Sequence, residues 1–198
     1  MKTWHKIAIA IIVIVGVVVC VKSCVDRKSP DLTIAYIGKD FVNRESYDKN
    51  VTKLYNLCSD ITGDGDISID IMEISYSDEL SHSDKSNSNQ KMTNAVGNGA
   101  ARLYFIEEEY VTKNLDVDVF CDLTELYDGK RSVIKNSSGQ IVAISVKGSK
   151  KVAELGIEPK ENLYIAIRKI TEMDNFWNNS VQEQNTSATN IAEYILAN

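Results

Sequence analysis

The stretch that begins at Asp60 has the spacing of a metal-binding loop. Oxygen-bearing side chains stand at Asp60, Thr62 and Asp64, and Gly65 follows them. Calcium-binding EF-hand loops place oxygen ligands at positions 1, 3 and 5 and glycine at position 6. Their twelfth position is a bidentate acid, which is Ile71 here, and the residues after Gly65 alternate as in a strand. We therefore interpret the stretch as an acidic, glycine-rich turn, with weak Ca²⁺ binding by Asp60, Thr62 and Asp64 as the alternative.

Catalytic chemistry has few candidate residues. His82 is the one histidine beyond the first ten residues, and it lies in a polar, loop-like stretch, which disfavours a histidine-assisted nucleophile. Glu107, Glu108 and Glu109 are consecutive, and neighbours in a helix point in different directions. Such a cluster suits a solvated surface better than a pair of acid–base carboxylates. The sequence predicts that the protein is not an enzyme.

The domain contains two cysteines, Cys58 and Cys121, which are 63 positions apart. Outside the cytoplasm they could form a disulfide that closes a long loop. Both also stand among apolar residues, which favours two separate buried thiols. The sequence has no Cys-x-x-Cys pair and no Cys/His cluster, so a zinc site is not expected.

The first half of the chain predicts strands and helices in alternation. Short apolar runs at 32–37 and 103–106 indicate buried strands, and alternating isoleucines at 67–72 indicate a third. Amphipathic spacing predicts a helix over 46–60, and an acidic helix over 107–113 follows the last of these strands. Residues 77–91 are polar and predict a loop that enters a short helix near Met92. This β-α-β-α-β order predicts an α/β fold with a single open, mostly parallel sheet flanked by helices.

The second half is less regular. It predicts a hairpin with strands near 132–135 and 140–146, and a helix from Ser149, its N-cap, to a stop at Gly156. Residues 163–167 predict one more strand. Residues 178–190 are polar and predict a flexible segment, after which Asn190 and Glu193 resemble a capping box that opens the last helix.

The N-terminal region predicts a membrane location. Residues 7–21 are uncharged and almost wholly aliphatic, and the stretch extends to residue 25 if Lys22 snorkels. We expect an uncleaved signal anchor at 7–25, because no small-residue cleavage pattern follows; a cleaved signal and lipidation of Cys20 or Cys24 are the alternatives. The predicted organisation is a tail at 1–6, a transmembrane anchor at 7–25, a tether at 26–31 and one extracytoplasmic domain at 32–198. The protein is thus expected in the cell membrane as a single-pass protein with its domain outside the cytoplasm.

Composition limits the partners. The chain carries 22 Lys and Arg against 28 Asp and Glu, a net charge of −6. Nucleic-acid-binding domains carry clustered basic residues, so no nucleic-acid partner is expected.

The order of features from Lys91 to Leu126 resembles a known family. The residues that carry the resemblance are Lys91-Met92-Thr93, Gly97-Asn98-Gly99-Ala100-Ala101, Arg102 to Glu107, Glu109-Tyr110 and Asp122 to Leu126. They resemble type 2 extracellular solute-binding proteins of ABC transporters, particularly the carbohydrate-binding branch, over about residues 31–146. The chain departs from that pattern at Arg102, where an acid is more usual, and at Ala101, where proline is often found.

The resemblance implies one lobe of a solute-binding protein. Only 52 residues follow Val146, too few for a second α/β lobe. We therefore expect a membrane-anchored, non-enzymatic lobe that binds a small solute, with carbohydrate as the class that the resemblance implies, or that assists transport. The alternative is a degenerate lobe that acts as a protein–protein interaction or sensory module for a neighbouring membrane protein. Ligands of open α/β sheets gather beyond the carboxyl ends of the strands, which gives the candidate binding residues Lys39, Asp40, Tyr76, Ser77, Glu107 and Glu108.

Overall fold

A computed structural model describes residues 29–76, 80–114, 117–160, 162–171 and 180–197. Within these residues the chain forms one six-stranded sheet with helices on both faces, which confirms the predicted α/β class. The predicted anchor at 7–25 lies outside the described residues. No helix in the described ranges is long and apolar enough to cross a membrane.

The elements are numbered here in chain order. The strands are β1 Leu32–Gly38, β2 Ile69–Ser75, β3 Leu103–Glu107, β4 Val133–Lys135, β5 Ile141–Ser145 and β6 Leu163–Ile167. The α-helices are α1 Arg44–Asn50, α2 His82–Met92, α3 Glu108–Asn114, α4 Lys150–Glu154 and α5 Ser180–Leu196. Short 3₁₀ segments cover Val51–Leu57, Val117–Val119 and Thr124–Leu126, and a π-helical turn covers Thr93–Gly97.

The sheet is mixed, so the prediction of a mostly parallel sheet is wrong. Its strand order is β2-β1-β3-β6-β5-β4. β1 runs parallel to β2 and β3, whereas the pairs β3–β6, β6–β5 and β5–β4 are antiparallel. The reason lies in the connections: helical crossovers join the first three strands, but β4 and β5 form the predicted hairpin, which can only be antiparallel.

The sheet separates two apolar cores, because alternate residues of a strand point to opposite faces. Leu32 and Ile34 of β1 lie in the core on the side of α1, α4 and α5. Ala35 and Ile37 of the same strand lie in the core on the side of the π-helical turn and α3.

Helix α5 is longer than the sequence predicts. The capping-box pattern predicted a start at Asn190, but the helix begins at Ser180. Its first half therefore occupies the stretch at 178–190 that the sequence predicted to be flexible. Apolar contacts with the sheet override the polar composition of its first half. Its buried side chains are Val181, Ser187, Ala188, Ile191, Ala192, Ile195 and Leu196.

Helix α2 occupies a region that the sequence predicted as a loop. It has almost no apolar residues, so the helical hydrophobic period is missing. The signal that would have found it is a capping pair, Ser81 and Asp84: Ser81 Oγ accepts from the Asp84 backbone N–H at 3.2 Å and contacts the Asp84 carboxylate at 2.6 Å. The predicted helix over 46–60 is likewise α1 followed by a 3₁₀ segment. Ser149 caps α4, and Gly156 ends it with φ 73°, as predicted.

The outer edge of β2 is protected by side chains. β2 lies at one end of the sheet, where unpaired backbone groups invite pairing with another strand. Three of its carbonyl groups instead accept hydrogen bonds from a tyrosine hydroxyl and two cationic side chains. The pairs are Tyr47 to Ile69, Arg44 to Ile71 and Lys91 to Glu73, at 3.2, 3.0 and 3.0 Å.

Candidate functional site

The strand order places a crevice between β1 and β3. The chain passes from β1 to β2 through α1 on one face, then returns to β3 through α2 on the other face. The segments that follow β1 and β3 therefore leave the sheet towards opposite sides. In open α/β sheets, ligands bind outside the carboxyl ends of the strands at such a switch point.

Glu107, the last residue of β3, is a buried carboxylate at this point. Its exposed fraction is 2%. Its Oε1 accepts from the Lys39 backbone N–H at 3.3 Å and from the Tyr36 hydroxyl at 3.5 Å. The Lys160 Nζ lies 3.9 Å from the same oxygen. A buried charge needs such partners, since an unpaired one is strongly unfavourable in an apolar interior.

Gly38 makes this packing feasible. A Cβ at that position would lie 2.6 Å from the Tyr36 hydroxyl oxygen and 2.8 Å from Glu107 Oε1. Real Cβ atoms do not approach that closely, so a larger residue would displace the two side chains. Glycine thus allows the tyrosine and the carboxylate to meet above the end of β1.

Charged side chains from two loops and from helix α3 surround Glu107. Lys160 forms an ion pair with Asp40, and Lys39 Nζ lies 2.7 Å from Glu109 Oε2. These pairs are half exposed, so each contributes little to stability. We call Tyr36, Lys39, Asp40, Glu107, Glu109 and Lys160 the Glu107 cluster.

The electrostatic environment raises the pKa values of two residues of the cluster, Tyr36 and Lys39. Burial raises the pKa of Tyr36, and the neighbouring charge of Glu107 and the hydrogen bond to it raise that pKa further. The Tyr36 hydroxyl therefore stays protonated and remains a donor to Glu107. The hydrogen bond to Glu109, together with its negative charge, raises the pKa of Lys39, so this side chain stays cationic.

The structure brings three of the predicted binding residues together and leaves Tyr76 and Glu108 outside the cluster. Lys39, Asp40 and Glu107 belong to the cluster. Tyr76 lies at the end of β2, where its backbone N–H donates to the Gly38 carbonyl at 3.0 Å and its ring packs 4.9 Å from that of Tyr110. Glu108 is exposed, and its backbone N–H donates to the Asn162 carbonyl at 2.7 Å. Ser77 lies outside the described residues.

The expectation that all three consecutive glutamates form a solvated face is wrong for Glu107. Glu107 is the last residue of β3, and its side chain is buried like those of the rest of the strand. Glu108 is the first residue of α3. Sequence reasoning also missed Tyr36 and Lys160. Lys160 is 120 positions from Asp40 along the chain, so no local sequence pattern predicts their contact.

The Asp60 turn uses its carboxylates to hold its own backbone. Asp60 accepts from the backbone N–H of Gly63 at 2.6 Å and of Gly65 at 2.8 Å, and the Thr62 hydroxyl donates to it at 3.3 Å. Asp64 accepts from the Asp66 backbone N–H at 3.0 Å. No group of three or more acidic, histidine or cysteine side chains among the described residues could hold a metal ion. This is the geometry of an acidic turn, and calcium binding by Asp60, Thr62 and Asp64 stays a prediction.

Asp31 is the residue that fastens this turn to the sheet. The sequence assigned it to the tether, yet its exposed fraction is 0%. Its carboxylate accepts from the backbone N–H groups of Ile61, Thr62 and Ser68 at 2.7, 2.9 and 2.8 Å. Burial opposes ionisation, but these hydrogen bonds outweigh it and hold the pKa of Asp31 below its usual value.

Cys58 and Cys121 are free thiols, so the structure contains no disulfide between them. Both are half-buried beside the core on the α5 side. The Cys121 thiol donates to the Arg168 carbonyl at 3.4 Å. Burial raises the pKa of Cys58 to about 11 and also raises that of Cys121, which leaves both thiols protonated and unreactive at neutral pH.

Comparison with known proteins gives no relative: no protein-family model matches the chain, and no curated protein or solved structure is significantly similar to it.

Proposed function

We propose that this chain is a membrane-anchored, extracytoplasmic solute-binding lobe without enzymatic activity, which presents the Glu107 cluster to a small solute. The observation that carries the proposal is the buried carboxylate of Glu107 at the switch point between β1 and β3. Residues from β1, from the loop that follows it, from α3 and from the loop before β6 converge on it and supply both donors and acceptors. Ligand sites are typically built from a few convergent polar groups of this kind.

The position of the cluster supports a role away from the membrane. Asp31 precedes β1 and Gly38 ends it, so a seven-residue strand separates the chain's entry into the domain from the cluster. At the usual rise of a strand, that distance is roughly 20 Å. A chain anchored through residues 7–25 would therefore enter at one end of the sheet and present the cluster at the other.

A thermal-unfolding screen of the full chain against sugars, short peptides and Ca²⁺ tests the proposal. A ligand that binds only the folded state stabilises it by about 2.7 kcal/mol when the free ligand concentration is about 100 times the Kd. We expect a solute to raise the melting temperature of the wild type, and Glu107→Gln to abolish that shift while the fold is retained. Glu125→Gln, which changes an exposed glutamate outside the cluster, is the matched control. No shift with any probe would contradict solute binding.

The second candidate function is a protein–protein interaction or sensory module for a neighbouring membrane protein. One observation favours it: all six strands described belong to a single sheet, and no second sheet in the described ranges faces the Glu107 cluster. Ligand pockets normally bury most of their ligand. If the protein is an interaction module, a partner protein covers the open side of the Glu107 cluster.

Charge reversal separates the two functions. If a membrane protein docks on the cluster, crosslinking in the native membrane should capture it with the wild type and lose it with Lys39→Glu, since the half-exposed Lys39 lies at the surface of the cluster. Lys130→Glu is the matched control, because Lys130 is exposed and lies outside the cluster. Equal capture with both variants would contradict docking at this site.

A further inference from the structure

A basic region lies on the same edge of the sheet as the Glu107 cluster. β5 runs antiparallel to β6, which runs antiparallel to β3, so the carboxyl ends of β3 and β5 lie at one edge. Lys147 follows β5 there, and the Gly148 backbone N–H donates to the Pro159 carbonyl at 3.2 Å, next to Lys160 of the cluster. Ligands of open α/β sheets bind beyond the carboxyl ends of the strands.

A groove of about 380 Å³ opens between this segment and the end of α5, within the range typical of small-molecule pockets. Four of the residues that line it are cationic, namely Arg131, Lys147, Lys150 and Lys151, and none of the described lining residues is acidic. The chain as a whole carries a net charge of −6. Its positive side chains are therefore concentrated here against the overall composition. We call this site the Lys150 groove.

Two of the four cations are held in place by the end of α5. The Lys151 Nζ donates to the carbonyls of Tyr194 and Ala197 at 2.5 and 2.6 Å. The Arg131 guanidinium donates to the Leu196 carbonyl at 3.4 Å. These bonds cap the last turn of the helix, which explains both residues without a ligand. They also position the two cations, and Lys151 keeps one N–H donor beyond the two that it uses.

The cap does not explain Lys150. This lysine is exposed and is the first residue of α4, where the partial positive charge of a helix N-terminus disfavours a cation. Lys147 and Lys151 add like charge within five positions, and like charges repel. An anion bound in the groove would offset both unfavourable effects.

The acidic residues near the groove do not balance its cations. The exposed Asp128 carboxylate lies 3.8 Å from the Arg131 Nε, so it compensates one of the four. Glu154, in the same helix as Lys150, forms an ion pair with Lys53 at 2.7 Å. Cations therefore outnumber acids around the groove within the described ranges.

The number of cations favours a dianion over a carboxylate. A carboxylate brings one charge and two oxygens. A phosphate monoester carries a charge of about −1.5 to −2 at neutral pH and three strong acceptor oxygens. Cations that surround a groove can each contact a different oxygen of such a group, and lysine is a common phosphate ligand.

We propose that the Lys150 groove binds a phosphate-type dianion, either inorganic phosphate or the phosphate group of a small molecule. Lys147 and Lys150 attract the anion at the rim, and Lys151 and Arg131 supply donors whose positions are fixed by α5. This goes beyond the proposed function, because it assigns a second ligand class to a groove that contains none of the residues of the Glu107 cluster.

Calorimetric titration of the full chain at constant ionic strength tests the proposal, with inorganic phosphate, methyl phosphate, sulfate and acetate as probes. We expect saturable binding of the first two and at least tenfold weaker binding of acetate. Lys150→Ala should weaken phosphate binding by about tenfold, since it removes one charge-assisted contact, and Lys150→Arg should retain most of it. Lys49→Ala, which removes an exposed lysine of α1, is the matched control and should bind as the wild type does. Lys49 and Lys150 are both exposed, so neither change should unfold the protein.

The pH dependence separates phosphate recognition from an effect of pH on the protein. Methyl phosphate gains its second proton near a pKa of about 6, whereas sulfate stays dianionic. Between about pH 7.5 and 5.5, affinity for methyl phosphate should therefore fall, and any affinity for sulfate should persist. A parallel loss of both probes would contradict the proposal, because it would place the titrating group on the protein.

The proposal stands apart from the role of Glu107. Glu107→Gln should bind phosphate as the wild type does, even if the solute screen finds no ligand for the Glu107 cluster. The proposal is overturned if phosphate does not saturate, if acetate binds as tightly, or if Lys150→Ala binds as the wild type does. A glutamate-rich peptide that binds more tightly than methyl phosphate would also overturn it, in favour of an acidic protein segment.

Discussion

Helices α2 and α5 flank the same sheet but meet it with opposite chemistry. Helix α5 buries seven side chains, most of them apolar, whereas α2 buries only Ser88. The first is held by removal of apolar surface from water. The second is held by its N-cap and by polar contacts such as Lys91 to the Glu73 carbonyl, and it leaves a groove open beside β2. The difference shows that one helix stabilises the fold, while the other is kept in place at little gain in stability.

The largest expected effect comes from truncating a buried residue of α5. Ile191 is fully buried, so Ile191→Ala should lower the free energy of unfolding by about 2–5 kcal/mol, the range for such cavities. The matching change in α2, Ser88→Ala, should alter it by less than about 0.5 kcal/mol. Denaturant titration of both variants measures the comparison directly. Similar losses would mean that α2 contributes as much as α5.

The second prediction concerns stability at low pH. Protonation of Asp31 should weaken its hydrogen bonds to the turn that precedes β2 and so lower the free energy of unfolding. Its folded pKa lies below the value of about 3.9 expected in the unfolded chain. Its contribution is therefore fully present above that value and is lost as the pH falls through the lowered folded pKa. At neutral pH Asp31→Ala should cost roughly 2–3 kcal/mol, because backbone donors of the 61–68 turn lose their acceptor.

Asp31→Asn is the control for the charge. It keeps the shape of the side chain and one acceptor oxygen but cannot ionise. Its difference from the wild type, measured by denaturant titration, should shrink as the pH is lowered towards about 3. A difference that does not depend on pH would exclude the carboxylate charge as the cause.

The third prediction tests what holds α2. Ser81→Ala removes its N-cap and should cost about 1 kcal/mol. Amide hydrogen exchange should show faster exchange within α2, while the amides of α5 keep their protection. Equal acceleration in both helices would show that they unfold as one unit and would weaken the comparison.

The smallest expected effect on stability belongs to the β2 edge. Arg44→Ala combined with Lys91→Ala should lower the unfolding free energy by only about 0.5 kcal/mol, since both side chains lie at the surface. The same change frees two edge carbonyls, so chromatography with light scattering should detect concentration-dependent self-association. Lys53→Ala breaks an exposed ion pair with Glu154 away from this edge, and it should leave the protein's association state unchanged.

Local patterns predicted the elements wherever apolar periodicity was present. The buried strands β1, β3 and β6, the hairpin and the Ser149 cap followed from residue spacing alone. The same method failed for α2 and for the first half of α5, which lack that periodicity. The site was predicted in part, because the carboxyl end of a strand can be read from sequence. Glu107 was named for that reason, but its partner Lys160 arrives from a distant loop.

The sequence by itself determined the α/β class, the apolar N-terminal stretch and the position of charged residues after the strands, since these depend on neighbours along the chain. Only the tertiary structure decided that Glu107 is buried, that the sheet is mixed and that a polar helix stands beside β2 with a groove between them. Those properties depend on which distant segments meet. Contacts between segments that are far apart in the chain leave no pattern in the local sequence, so they can be identified only in the assembled sheet.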